Sequence, residues 1–78
     1  MTRAVSYKGF SIRPAPQHLA ESGMWGLNLF ISWSIHNQEH SLHFFKDEAY
    51  ATKDEAEIMC IDYGKLIIDG EVPEASVG

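Results

Sequence analysis

Trp25, Leu27, Leu29, Ile31, Trp33 and Ile35 occupy every second position, with Gly26, Asn28, Phe30, Ser32 and Ser34 between them. Successive side chains of a strand point to opposite faces. The run therefore predicts a strand over residues 24–35 with one apolar face and one mostly polar face. Such a strand constrains the rest of the chain. It needs hydrogen-bonded neighbours at its edges, and another layer must cover its apolar face. The polar second face points to an antiparallel sheet with one side in water.

Two further strands are legible. In residues 7–16, "YKGFSIRPAP", Phe10 and Ile12 alternate with Ser11 and Arg13, and Pro14 and Pro16 close the run. Residues 17–23 read as a polar connection. Residues 36–39, "HNQE", form a turn in which Asn37 suits positive φ. The chain returns over residues 40–47, "HSLHFFKD", with Leu42 and Phe44 on one face and Ser41, His43 and Phe45 on the other. A helix follows. Thr52 and Glu55 have capping-box spacing, so it begins at Lys53. Asp54 and Glu55 sit at the positive end of its dipole. Asp69-Gly70 ends it, with Gly70 as the left-handed residue and Pro73 preventing resumption. The expectation is an α+β domain of order β-β-β-α: a three-stranded antiparallel sheet with one C-terminal helix packed on one face. A chain of 78 residues is one domain, 1–78, with an ordered core over about 5–73.

The helix has more apolar surface than one buried face requires. At about 100° per residue, Ala56, Met59, Cys60, Tyr63, Leu66 and Ile67 form the stripe expected to meet the sheet. Gly64 lies at its edge. A mid-helix glycine costs about 1 kcal/mol relative to alanine, and the return expected is close approach to a bulky side chain such as Trp25 or Trp33. Ile58, Ile61, Lys65 and Ile68 follow the spacing of a short a/d seam on the other side. An exposed patch of this kind is a candidate interface with a homodimer mate or another protein partner. Its alternative cover is the chain itself, through Val72, Pro73 and Val77 or the 14–23 connection.

Composition narrows the chemistry. Cys60 is the only cysteine, so no internal disulfide forms, and it reads as a small core residue. His40 and His43, three apart on a strand, point to opposite faces and cannot chelate together. His18 and His36 stand in expected loops. No metal, cofactor or catalytic residue is assigned, no nucleotide-loop or nucleophile motif is present, and the expectation is a non-enzymatic protein. No run is apolar for the length of a membrane span. The first ten residues, "MTRAVSYKGF", lack the apolar core of a signal peptide. With one cysteine, these features suggest a reducing cytoplasm. The net charge of −5 disfavours phosphate binding. It is uneven: Arg3, Lys8 and Arg13 against Glu21 and Glu39 leave residues 1–45 at +1, and residues 46–78 carry −6.

The uncovered sheet face is expected to present Arg13, Asn28, Phe30, His43 and Phe45, together with Ser11, Ser32 and Ser41. Aromatic rings and one arginine on a flat sheet are the ingredients of a base-stacking platform. The element order also resembles integrase arm-binding DNA domains, which read DNA with a three-stranded sheet. Those domains carry many basic residues on their strands, whereas here Arg13 stands alone.

A second resemblance rests on the Tyr-x-Gly-aromatic start at Tyr7, the Thr-x-x-Glu-Ala helix start at Thr52, and the Ile-Ile-Asp-Gly-x-Val-Pro end at Ile67. Together with the closing "SVG", these resemble a group of small proteobacterial proteins of unknown function. The resemblance spans most of the chain and implies a full-length bacterial protein, but no reaction or ligand. The functional expectation is a protein–protein interaction module, with a nucleic-acid-binding sheet face as the alternative.

Overall fold

The computed structural model describes residues 4–73 and Ala75. Five strands precede one helix: β1 (Val5–Tyr7), β2 (Phe10–Pro14), β3 (Gln17–His18), β4 (Trp25–Ile35), β5 (Gln38–Tyr50) and α1 (Lys53–Ile68). All pairings are antiparallel. β4 is the central strand. It pairs with β5 on one side and with β2 and then β3 on the other, and β1 extends the sheet beyond β2. The α+β class and the single C-terminal helix are as expected, but the sheet has five strands rather than three.

Two local features account for the extra strands. Lys8 and Gly9 both have positive φ, 51° and 84°, and close a two-residue hairpin in which Tyr7 pairs with Phe10. This is the I′-type geometry that matches strand twist. The prolines, in turn, do not end the second pairing. Pro14 still pairs with Leu29, the Ala15 N–H donates to the Asn28 carbonyl at 2.8 Å, and Gln17 then pairs with Gly26. Proline is tolerated where its missing N–H would face away from the neighbouring strand. Residues 17–18 are thus strand rather than connection. A tight turn follows, in which the Gly23 N–H donates to the Leu19 carbonyl.

His36 and Asn37, at φ 52° and 64°, form a second two-residue loop, so β5 begins at Gln38 opposite Ile35. Its ladder with β4 is regular as far as Lys46, opposite Leu27. Gly26 then pairs with Ala49, leaving Asp47 and Glu48 as a bulge. The helix termini follow their local chemistry. Thr52 Oγ1 accepts from the Glu55 N–H at 3.1 Å. At the other end Gly70 has φ 78°, its N–H donates to Ile67, and the Glu71 N–H donates to Leu66. That pair of bonds is a Schellman motif.

α1 lies across β2 and β4 and touches β5 much less. Ile12, Leu29, Ile31, Cys60 and Ile67 are the largest fully buried side chains, with Leu27 and Tyr63 beside them. Trp25 and Trp33 are only half-buried. Gly64 is buried against Ile12 and Leu29 rather than against either tryptophan. A Cβ added there would stand 2.8 Å from Ile12 Cγ2, 3.1 Å from Ile12 Cδ1 and 3.1 Å from Leu29 Cδ1. The helix runs closest over the β2–β4 pair, so the tryptophans fall outside its footprint.

Gly64→Ala therefore sets a helix-propensity gain of about 1 kcal/mol against overpacking of a β-branched neighbour, which typically costs about 1–3 kcal/mol. The clash is with a stiff Cγ2 atom, so the second effect wins. We expect G64A to lower the urea midpoint; a midpoint equal to or above the parent's would show that Ile12 yields freely.

Candidate interaction face

On the uncovered side of the sheet, strand register brings four residues of the expected set into one file. Arg13 stands opposite Phe30, and Phe30 opposite His43. The Arg13 guanidinium lies 5.2 Å from the Phe30 ring centre, within cation–π range. Phe30 and His43 stack at 4.8 Å with 28° between planes, and His43 contacts Phe45 at 5.8 Å. Phe45, at 72% exposure, is the most exposed large apolar residue described.

Asn28 orients the file. Its Nδ2 donates to the Ala15 carbonyl at 3.0 Å, which turns Oδ1 toward His43 Nε2. An amide oxygen can only accept, so His43 donates to it from Nε2. The Asn28 backbone carbonyl accepts from the Ala15 N–H and from the Cys60 thiol, the latter at 3.2 Å. One residue thus joins the proline-containing edge, the helix and the ring file. Cys60 is fully buried, and burial pushes its thiol pKa up.

Two depressions flank the file. One, of about 300 Å³, lies between Gln17, Leu19, Phe45 and the bulged Asp47 and Glu48. The other, of about 220 Å³, lies between Arg13, Phe30, Ser41 and Glu39. The acids at their rims were not among the residues expected at this face. The signal for them was the Asp47-Glu48 pair at the end of a strand, but their position depends on the bulge.

The helix stripe is dispersed by the fold. Ile58 is 61% exposed, while Ile61 and Ile68 are half-buried and pack against the core. Lys65 lies over the Tyr7 ring at 5.5 Å. Val72 and Ala75 also pack against the core, and Pro73 is exposed; Val77 lies outside the described residues. Met59 and Leu66, expected to be covered, are exposed on the flank facing β5. His40 stacks on Trp33 on the helix side, opposite to His43.

The other shifted ionisable groups lie away from the ring file. Tyr50 is pushed up to about 12, first by burial and then by its hydrogen bond to Glu48. Asp69 accepts from Lys8 Nζ and, at 2.8 Å, from the Tyr7 hydroxyl. Lys8 first, then Tyr7, holds the Asp69 carboxyl below its ordinary range; Asp69 in turn raises the pKa of both Tyr7 and Lys8. These contacts tie the β1–β2 turn to the helix C-terminus. Among the described residues no group of three or more His, Cys, Asp or Glu side chains could hold a metal ion. No helix among them is long and apolar enough to cross a membrane.

The Asp69 cluster sets a pH signature. A lowered carboxyl pKa contributes stability above the unfolded value, ordinarily 3.8, and loses it as pH falls through the folded value. Raised Lys8 and Tyr7 values contribute below their ordinary 10.5 and 10.0 and lose that contribution as pH rises through the folded values. The difference in urea midpoint between parent and Asp69→Asn is therefore expected to be flat through neutral pH and to shrink at both extremes. A difference independent of pH would show that the cluster acts by shape alone.

Comparison with protein-family models, with curated proteins and with solved structures finds no match to this chain.

Proposed function

We propose that this chain is a non-enzymatic bacterial interaction module that receives a protein partner on the uncovered face of its sheet. The observation that carries this reading is the Arg13–Phe30–His43–Phe45 file, which ends in a largely exposed ring. Exposed aromatic side chains are the usual anchors of protein contacts because they bury much area at little entropic cost.

Charge indicates the kind of partner. Glu39 rims one depression and Asp47 the other, on a chain of net charge −5, while Glu48 is paired with Lys46 and Tyr50. The complementary surface is a protein segment in which basic residues flank apolar or aromatic ones. The same acids weigh against the phosphate backbone of a nucleic acid. Stacking of bases on Phe30, His43 and Phe45 remains the second reading, supported by the cation–π placement of Arg13. The bacterial assignment rests on the resemblance of the start and helix motifs, and a cytoplasmic setting on the single cysteine.

The test is an NMR titration of isotope-labelled protein with three probes: a short peptide of alternating lysine and phenylalanine, its glutamate counterpart, and single-stranded DNA. The lysine peptide should move the Asn28, Phe30, His43 and Phe45 signals, with weaker binding as salt increases. Phe45→Ala should cost about 1–3 kcal/mol of that binding. Shifts with DNA in place of peptide would transfer the face to the second reading. Shifts confined to α1 would remove it from both.

A further inference from the structure

β5 is hydrogen-bonded to β4 on one side, and no described segment pairs with its other edge. It is 13 residues long, whereas the opposite border of the sheet, β1, has 3. The I′ loop joins Ile35 and Gln38 as a doubly bonded pair. Backbone groups then alternate along the regular stretch, and those of Glu39, Ser41, His43 and Phe45 point outward. A long edge with outward N–H and C=O groups is a template for another strand unless charge or a bulge blunts it. β5 is blunted at one end only, by Lys46 and the bulged Asp47 and Glu48. Residues 38–46 are regular and carry Glu39 as their one acid.

We propose that this edge pairs antiparallel with the same edge of a second copy, in the register that sets Leu42 against Leu42 across a two-fold axis. Leu42 is the midpoint of residues 38–46, so this register uses the whole regular ladder. It places Ser41 opposite His43 and Glu39 opposite Phe45, all with outward backbone groups. Each such pair exchanges two hydrogen bonds, for about eight new bonds across the dyad.

The charges also fit. Glu39 meets Phe45 and Lys46 meets Gln38, so no like charges stand opposite each other. Centring the pairing on His43 sets Glu39 against Asp47, and registers further along draw the bulge into the ladder. On the helix side, Leu42 is 41% exposed because α1 lies toward β2. Pairing covers it with its own copy. A two-fold axis normal to the sheet keeps both helices on one side and joins the two open faces into one surface. A chain this short gains stability from such assembly. The pairing brings Ser41 and Glu39 of one copy beside His43 and Phe45 of the other, but backbone bonds make it, so it is read without peptide and its failure is distinguishable from failure of peptide binding.

Sedimentation of the full chain from about 1 μM to about 1 mM tests the pairing, together with amide exchange at both ends of that range. A dimer should form with rising concentration, and the outward amides of Glu39, Ser41, His43 and Phe45 should exchange more slowly as it does. Leu42→Lys sets two cations across the axis at a site already partly in water. It should raise the association midpoint by about tenfold or more while leaving the circular dichroism spectrum and the lysine-peptide shifts in place. Ser41→Pro removes an outward donor without removing a bond to β4 and should raise the association midpoint as well, which keeps the test open if L42K folds poorly. A monomer throughout the range, a dimer that survives both substitutions, or a dimer with fast-exchanging outward amides would each overturn the proposal.

Discussion

The contact of Gly64 with Ile12 and Leu29 sets the placement of every other surface. A helix carrying a side chain at that position would have to stand further off or move sideways. With none, α1 settles onto the β2–β4 pair, flanked by the fully buried Cys60 and by Ile67. The same offset leaves β5 largely outside the helix footprint. Leu42, Met59 and Leu66 are exposed for that reason and not because the chain has too few apolar residues. In a small chain one close approach can decide which apolar groups are covered, because the described residues hold no second helix to compensate.

The two sides of the sheet are held by different forces. The helix side is dispersion and apolar burial around Ile12, Leu29 and Ile31. The open side is ordered by polar and π contacts: Arg13 over Phe30, Phe30 on His43, and His43 held by Asn28. Asn28 links the two sides, since its carbonyl accepts from Cys60 and Ala15 while its side chain positions His43. A surface file whose rings are fixed in advance loses little freedom when a partner covers it. The bulge sets Asp47 beside that file, leaves Glu48 paired with Lys46 and Tyr50, and interrupts the edge of β5.

The helix and the central strand were legible in the sequence because their signals are local. Alternation from Trp25 to Ile35 specifies a strand and its two faces. Thr52 with Glu55 and the Asp69-Gly70 stop specify where the helix begins and ends, and both ends are built as those residues require. The membership of the ring file followed from period two alone: Arg13, Phe30, His43 and Phe45 share a face in the fold as in the pattern. The extra strands were harder to see. The β1 hairpin depends on Lys8 adopting positive φ, which its residue type does not announce, and β3 depends on prolines whose missing donors point away from β4.

What the sequence by itself determined is therefore the order of elements, their faces and the caps, since each depends on neighbours within a few residues along the chain. Only the tertiary structure decided which large side chain meets Gly64, that Ile61 and Ile68 lean on the core while Ile58 does not, and that no described segment pairs with the outer edge of β5. Those outcomes depend on where the helix axis lies over the sheet. That position is a balance of packing contacts between residues as far apart in the chain as Ile12 and Gly64, and no local pattern encodes it.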